Sequence, residues 1–149
     1  MLHSTTMTAH PRWLATLALL LTLWATPAHA GLSAADERGV REVVQAQLAA
    51  FAGDDAEKAF SYAAPNIRQS LGTAERFMAM VRSNYAVVYR PASVTLLRPE
   101  GANDQAVQRA QMTDANGAHW MATYTLQKQK NKLWRITGCV IMLSSARMV

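Results

Sequence analysis

The stretch "QAVQRAQMTDANGAHWMATYTLQKQKNKLWRITGCVIML", residues 105–143, decides the fold. Apolar and polar side chains alternate along much of it, and two polar segments, "DANGA" (114–118) and "KQKNK" (128–132), interrupt the alternation. Alternation of this kind is typical of strands that bury one face. The pattern predicts a meander of three antiparallel strands. We expect these near residues 105–113, 118–127 and 132–143.

The two polar segments also predict how the strands are paired. Each fits a three-residue hairpin loop, 115–117 and 129–131, whose third residue must adopt a positive φ. Gly117 and Asn131 hold those positions, and both residue types tolerate that conformation well. The predicted cross-strand rows are Met112–Trp120–Val140, Ala110–Ala122–Gly138, Gln108–Tyr124–Ile136 and Ala106–Leu126–Trp134.

These rows form one mainly apolar face, with a row of small residues across its middle. The opposite face, called the outer face below, is more polar. It is predicted to carry Arg109, Gln111, Met121, Thr123, Thr125, Arg135, Thr137 and Cys139. One face of such a sheet meets helices, and the other meets water or a partner.

The residues before the meander read as helices. Ser33 is suited to cap the first helix, and Gly53 to end it. Asp54 then occupies an expected N-cap position, with further acids in the first turn of a second helix, where carboxylates complement the helix dipole. We therefore interpret these acids as helix boundaries and not as an acid/base site. Pro65 and Thr73 indicate the starts of two more helices.

The helical pattern ends at Pro91, and a further strand is expected near 92–98. Helices followed by a curved antiparallel sheet of about four strands make an α+β fold shaped like a cone. Residues 31–149 are long enough for one domain of this kind.

The first thirty residues have the layout of a secretory signal peptide. Arg12 precedes the uncharged apolar run "WLATLALLLTLWAT" (13–26), and "AHA" (28–30) places small residues at the −3 and −1 positions of a cleavage site. We expect cleavage after Ala30, translation from Met1 or Met7, a periplasmic or secreted protein, and no membrane attachment once the leader is removed.

Composition excludes several classes of function. The 15 Lys and Arg residues outnumber the 10 Asp and Glu residues, but they are scattered, whereas a nucleic-acid surface needs a basic stripe. Cys139 is the only cysteine, so no internal disulfide forms. His119 is the only histidine beyond the predicted leader. We therefore predict no metal site and no cofactor.

Four segments resemble a known family. They are "QLAAFAGDDAEKAFSYAAPNI" (47–67), "FMAMVRSNYAVVYRP" (77–91), "WMATYTLQKQ" (120–129) and "LWRITGCVIML" (133–143). They resemble an exported bacterial family known as domain-of-unknown-function family 4864. That family lies within the nuclear-transport-factor/ketosteroid-isomerase-like superfamily. The resemblance implies a cone-shaped fold and an export route, but no catalytic residues.

The isomerases of that superfamily place a carboxylate base inside the cone, and this sequence departs from them. None of the four predicted strands contains Asp or Glu. A general base must lie within hydrogen-bond reach of its substrate. We therefore expect a non-catalytic module that binds a small apolar ligand or a partner. Two alternatives stay open: an isomerase- or hydrolase-like enzyme that uses Tyr and Arg donors, and a homodimeric structural module joined through the outer face.

The candidate ligand-binding residues follow from the apolar face. The small row Ala110–Ala122–Gly138 predicts either close contact with a helix or a hollow that a ligand enters. Trp120, Tyr124 and Ile136 would wall such a hollow, and Gln108 would be its polar contact. Tyr89 and Arg90, where the helices meet the sheet, are further candidates, because an arginine holds a carboxylate through its planar fork.

Overall fold

The computed structural model describes residues 31–144, in which helices precede an antiparallel sheet. The predicted signal peptide lies outside the described residues. The five helices are α1 (Ala34–Ala52), α2 (Ala56–Ser61), α3 (Pro65–Leu71), α4 (Ala74–Asn84) and α5 (Ala86–Tyr89). The five strands are β1 (Ser93–Leu96), β2 (Glu100–Ala102), β3 (Gln105–Thr113), β4 (His119–Lys128) and β5 (Trp134–Leu143). The α+β prediction is confirmed.

Local sequence signals place most of the helix ends. The Ser33 hydroxyl accepts a hydrogen bond from the Asp36 amide at the start of α1, and Gly53 follows its last turn. Thr73 caps α4 in the same way, through the Arg76 amide. Pro65 opens α3, and Gly72 closes it with a φ of 78°. These side-chain caps satisfy amides that the helix leaves unpaired.

The predicted cap at Asp54 is wrong by one residue. Asp55 caps α2, because its carboxylate accepts from the Lys58 amide at 3.1 Å. Asp54 instead adopts a left-handed conformation, with φ of 53°, in the turn that follows α1. Its amide and that of Asp55 both bond back to α1, so the connection is one residue longer than the sequence pattern suggested.

The sheet has the order β1–β3–β4–β5, and β2 also pairs with β3. The strand predicted near 92–98 is β1, and β2 is a further short strand that was not predicted; the two pair with different parts of β3. Between β3 and β4 all four predicted pairs are present, from Met112–Trp120 to Ala106–Leu126. Gly117 takes the expected positive φ of 81°.

The second hairpin departs from its prediction. Lys132, and not Asn131, holds the left-handed position, with φ of 70°. The Gln129 amide bonds to the Leu133 carbonyl, so the loop begins one residue later than expected. As a result Leu126 pairs with Ile136 instead of Trp134.

A β-bulge beside Thr125 and Leu126 shifts the rest of β5 by one further residue. Tyr124 therefore pairs with Cys139, and Ala122 pairs with Ile141. A shift of one residue moves a side chain to the other face of a sheet. The prediction that Cys139 lies on the outer face is wrong, since this thiol faces the helices. Gly138 pairs with Thr125 and leaves the predicted small row.

The helices cover the inner face of the sheet and form a continuous core with it. Phe77 lies at its centre, with ring centroids 5.8 Å from Phe51 and 5.5 Å from Phe60. Ala110 and Ala122 are fully buried in this core, so of the two alternatives predicted for their row the structure shows close packing and not a hollow. Within residues 31–144, no helix combines the length and apolar character needed to cross a membrane.

Candidate functional site

A cavity of about 390 Å³ lies between the helices and the β5 side of the sheet. Helix α1 contributes Phe51 to its wall, and α4 contributes Phe77 and Val81. Sixteen of the residues in the described range 31–144 line it, and none of these sixteen is Asp, Glu, Lys, Arg or His. The wall is therefore uncharged and mainly apolar, which is typical of small-molecule sites.

Tyr124 supplies the cavity's most unusual polar group. The residue is 1% exposed, and its hydroxyl has no nitrogen or oxygen hydrogen-bond partner among the described residues. Its polar neighbour is the Cys139 thiol, which is only a weak hydrogen-bonding group. Burial raises the pKa of this hydroxyl well above its usual value. The group therefore keeps its proton at neutral pH and is free to donate it in a hydrogen bond.

Cys139 lies next to Tyr124, because the two residues pair directly across β4 and β5. Burial raises the pKa of its thiol to about 12. The thiolate is the nucleophilic form of cysteine, so this thiol is unreactive at neutral pH. The β-bulge explains its position, since the unshifted register would have turned it to the outer face.

Other polar groups of the wall are already paired within the protein. The Tyr85 hydroxyl donates to the Cys139 carbonyl at 3.2 Å. The Asn66 amide group donates to the Thr137 carbonyl at 3.0 Å. The Gln47 side chain, 3% exposed, donates to the Ala59 carbonyl at 3.2 Å. These contacts fix the wall, whereas the Tyr124 hydroxyl has only the weak Cys139 thiol beside it among the described residues.

The predicted candidates divide between this cavity and other places. Tyr124 and Ile136 line the cavity. Gln108 is fully buried away from it, and its amide group donates to the Leu97 and Arg109 carbonyls. The Trp120 indole donates to Asp114 at 2.9 Å, in the first hairpin, and it does not line the cavity.

Tyr89 and Arg90 belong to a surface cluster around Asp54. Arg90 and Arg82 contact the Asp54 carboxylate at 2.9 and 3.0 Å, and the Tyr89 hydroxyl donates to the same group. The Tyr89 hydrogen bond, followed by the one from Arg82, holds the pKa of Asp54 below its usual value. The Arg90 guanidinium, which was expected to hold the carboxylate of a ligand, thus contacts the Asp54 carboxylate of the same chain.

Sequence reasoning missed Gln47, Asn66 and Cys139 as cavity residues. Gln47 carried the clearest signal, since it is a polar residue on the helical face that also presents Val40, Val44 and Phe51. The described residues contain no group of three or more His, Cys, Asp or Glu side chains placed to hold a metal ion.

Comparison with known families identifies the class of the protein. The model of a domain of unknown function, DUF4864, matches residues 33–149. The chain therefore belongs to the DUF4864 family. No curated protein matches it.

Solved structures share the fold at low sequence identity. An NTF2-like protein of unknown function from Methylobacillus flagellatus KT aligns with a TM-score of 0.56 and 16% identity, over 76% of this chain and 96% of that one. A putative ketosteroid isomerase from Shewanella frigidimarina aligns with a TM-score of 0.53 and 15% identity, over 70% and 94%. A protein of the DUF3225 family from Pectobacterium atrosepticum aligns with a TM-score of 0.54 and 16% identity, over 78% and 96%. These likenesses show an NTF2-like fold.

Proposed function

We propose that this protein binds a small, neutral, mainly apolar ligand in the cavity without transforming it. The observation that carries the proposal is the buried hydroxyl of Tyr124, a residue that lines the cavity, because this hydroxyl has no nitrogen or oxygen partner among the described residues and only the weak Cys139 thiol beside it. Leaving a buried hydroxyl unpaired costs about 1–3 kcal/mol. A ligand atom that accepts its hydrogen bond would remove that cost.

The cavity also limits the size and charge of the ligand. Its volume of about 390 Å³ falls within the range of small-molecule sites. An ionised ligand would lose its hydration there without meeting a charged side chain, which is strongly unfavourable. A neutral ligand with one carbonyl or hydroxyl oxygen meets both conditions.

Binding is favoured over catalysis by the acid/base character of the wall. A general base or acid works best when its pKa lies near the working pH. The lining residues described here include no carboxylate and no imidazole, and burial raises the pKa of both Tyr124 and Cys139. Two protonated groups of this kind can donate hydrogen bonds, but neither removes a proton from a substrate at neutral pH.

The proposal can be tested with three naphthalenes of similar size. 2-Acetonaphthone carries one carbonyl acceptor, 2-ethylnaphthalene carries none, and 2-naphthoate is anionic. We expect the ketone to bind best and the carboxylate not to bind, as measured by calorimetric titration. In Tyr124→Phe the ketone should lose its advantage over the hydrocarbon, about two- to tenfold in affinity for one hydrogen bond.

Tyr62→Phe is the matched control, because it removes a tyrosine hydroxyl from a residue that does not line the cavity. Its preference for the ketone over the hydrocarbon should match that of the wild type. Failure of all three compounds to bind the wild type, or equal binding of all three, would refute the proposal.

Export through a cleaved leader is the second part of the proposed role. The support is the charge and hydropathy pattern of residues 1–30, which ends in the small residues of "AHA" (28–30). N-terminal sequencing of the protein from its own cell should give Gly31 as the first residue. A membrane-bound form that keeps the leader would contradict this.

We further propose that two copies associate through the outer face. Val140 and Met142, which are 61% and 66% exposed, lie there on neighbouring rows of β5. Exposed apolar side chains in one patch favour an interface between proteins. Sedimentation at micromolar concentration should show a dimer, and Val140→Asp should shift it to monomer. A wild-type protein that sediments only as a monomer would exclude this interface.

A further inference from the structure

Helix α3 differs from the other helices in how it is held. Each of the other four helices described contributes fully buried residues to the core, whereas α3 contributes none. It has seven residues, and no side chain caps its N-terminus. A helix this short is unstable alone and depends on packing. Its packing is limited, so its local stability is expected to be low.

The same helix forms one side of the cavity. Four of its seven residues line the cavity, namely Asn66, Ile67, Ser70 and Leu71. Ile67 and Leu71 are half-buried, while Asn66 and Ser70 are exposed to solvent. The helix therefore lies between the cavity and the surrounding water.

Both flanks of α3 are fixed to the rest of the fold. Before it, the Ala64 amide bonds to the Ile136 carbonyl at 2.7 Å, and Ala64 is 1% exposed. After it, Ala74 is 4% exposed at the start of α4. Gly72, with φ of 78°, lies between α3 and α4 at a position where the backbone has conformational freedom. Thr73 belongs to the fixed flank because it caps α4, so the segment between the two fixed flanks is residues 65–72.

Besides the packing of Ile67 and Leu71 against the core, two contacts described here hold α3 in place. The Asn66 side chain donates to the Thr137 carbonyl of β5, and the Arg68 guanidinium lies 5.4 Å from the centre of the Phe60 ring. Asn66 and Arg68 are both exposed, so water competes with these contacts. We propose that α3 is the lid of the cavity and that residues 65–72 open as a unit to widen its entrance for the ligand.

This inference rests on the proposed function, because the lid would admit the ligand proposed there. The motion of the lid can nevertheless be measured without any ligand. In native-state hydrogen exchange, the α3 amides should exchange at least about tenfold faster than Val44 in α1 and Val81 in α4. Their exchange should depend only weakly on urea, because a local opening exposes little surface.

Asn66→Ala tests the contact with β5. Alanine does not lower helix propensity, so faster exchange cannot come from a weaker helix. We expect exchange in α3 to rise severalfold with no change at Val44, and labelling of the single thiol, Cys139, by N-ethylmaleimide to rise in parallel. Gln69→Ala is the matched control, because Gln69 lies on the same helix but does not line the cavity. It should leave both rates at the wild-type level.

The results separate the lid from the proposed function. Exchange in α3 with the rate and urea dependence of α1 would overturn the lid, as would an Asn66→Ala variant that behaves like Gln69→Ala. Binding of 2-acetonaphthone that leaves α3 exchange unchanged would also overturn the lid and leave the proposed function standing. Opening of α3 alone, in a protein that does not bind the ketone, would support the motion and contradict the proposed function.

Discussion

The Tyr124 hydroxyl is buried with no nitrogen or oxygen hydrogen-bond partner among the described residues and only the weak Cys139 thiol beside it, which is unfavourable for stability. Its neighbours across the sheet are Gln108 on β3 and Cys139 on β5. Phenylalanine would fill the same space without an unpaired hydroxyl, so packing alone does not explain a tyrosine here. A hydrogen bond to a ligand does explain it.

Tyr124→Phe should therefore raise the free energy of unfolding, by about 1 kcal/mol, since it removes an unpaired polar atom and leaves the ring in place. Urea denaturation of the two proteins measures this. The same variant should bind 2-acetonaphthone more weakly. A clear loss of stability in the variant would show that the hydroxyl is already paired in the folded protein.

The Cys139 thiol gives a prediction about pH. In the unfolded chain it ionises near its usual pKa of 9.0, and in the folded protein burial raises that pKa to about 12. Between these values the unfolded state loses a proton that the folded state keeps. The free energy of unfolding should therefore fall as pH rises from about 9 to about 12, by at most about 1.4 kcal/mol per pH unit for this group.

Urea denaturation at several pH values from 8 to 11 checks the effect. In Cys139→Ala the free energy of unfolding should fall less steeply above pH 9. This holds even if the substitution lowers the free energy of unfolding by a constant amount at every pH. Equal slopes in the two proteins would show that the thiol is accessible to solvent in the folded state.

At the scale of elements, the register of β5 depends on which residue of the second hairpin adopts a positive φ. Lys132 has φ of 70°, a conformation that costs side chains other than glycine about 1–2 kcal/mol. Lys132→Gly should therefore raise the free energy of unfolding by about 0.5–1 kcal/mol. Thermal or urea denaturation provides the measurement.

Asn131→Gly is the control for this prediction. The Asn131 side chain accepts a hydrogen bond from the Leu133 amide at 3.1 Å, so its removal should lower stability. Stabilisation by Asn131→Gly together with destabilisation by Lys132→Gly would instead support the register expected from sequence, with Asn131 in the left-handed position.

This hairpin also shows how far the sequence determines the sheet. The β3–β4 pairing could be predicted because Gly117, the residue of its loop best suited to a positive φ, occupies the third loop position. In "KQKNK" two adjacent positions compete, and the structure uses the less favourable one. The bulge in β5 could not be predicted, because alternation is consistent with Thr137 or Gly138 on either face.

The cavity was less predictable than the sheet. Tyr124 and Ile136 could be chosen because the meander places both on the inner face. Gln47 and Asn66 come from separate helices, and their convergence depends on how those helices pack. Gln108 and Trp120 were placed correctly on their strands, but their predicted role assumed a hollow at Ala110 and Ala122 that the core fills.

At the scale of the whole molecule, a closed core and an open cavity lie side by side between the helices and the sheet. Ala122 is fully buried in the closed part. Ala122→Leu should therefore lower the free energy of unfolding by about 1–3 kcal/mol, because the added atoms have no space to occupy. Unchanged or increased stability in a melting experiment would show a hollow at this row.

The crystal structure of the complex with 2-acetonaphthone tests most directly whether the cavity is a ligand site. We expect the naphthalene rings to lie among Phe51, Phe77 and Val81. The ketone oxygen should accept a hydrogen bond from the Tyr124 hydroxyl at about 2.5–3.0 Å. An empty cavity at saturating ketone, or a bound ketone whose oxygen points away from Tyr124, would contradict the proposed site.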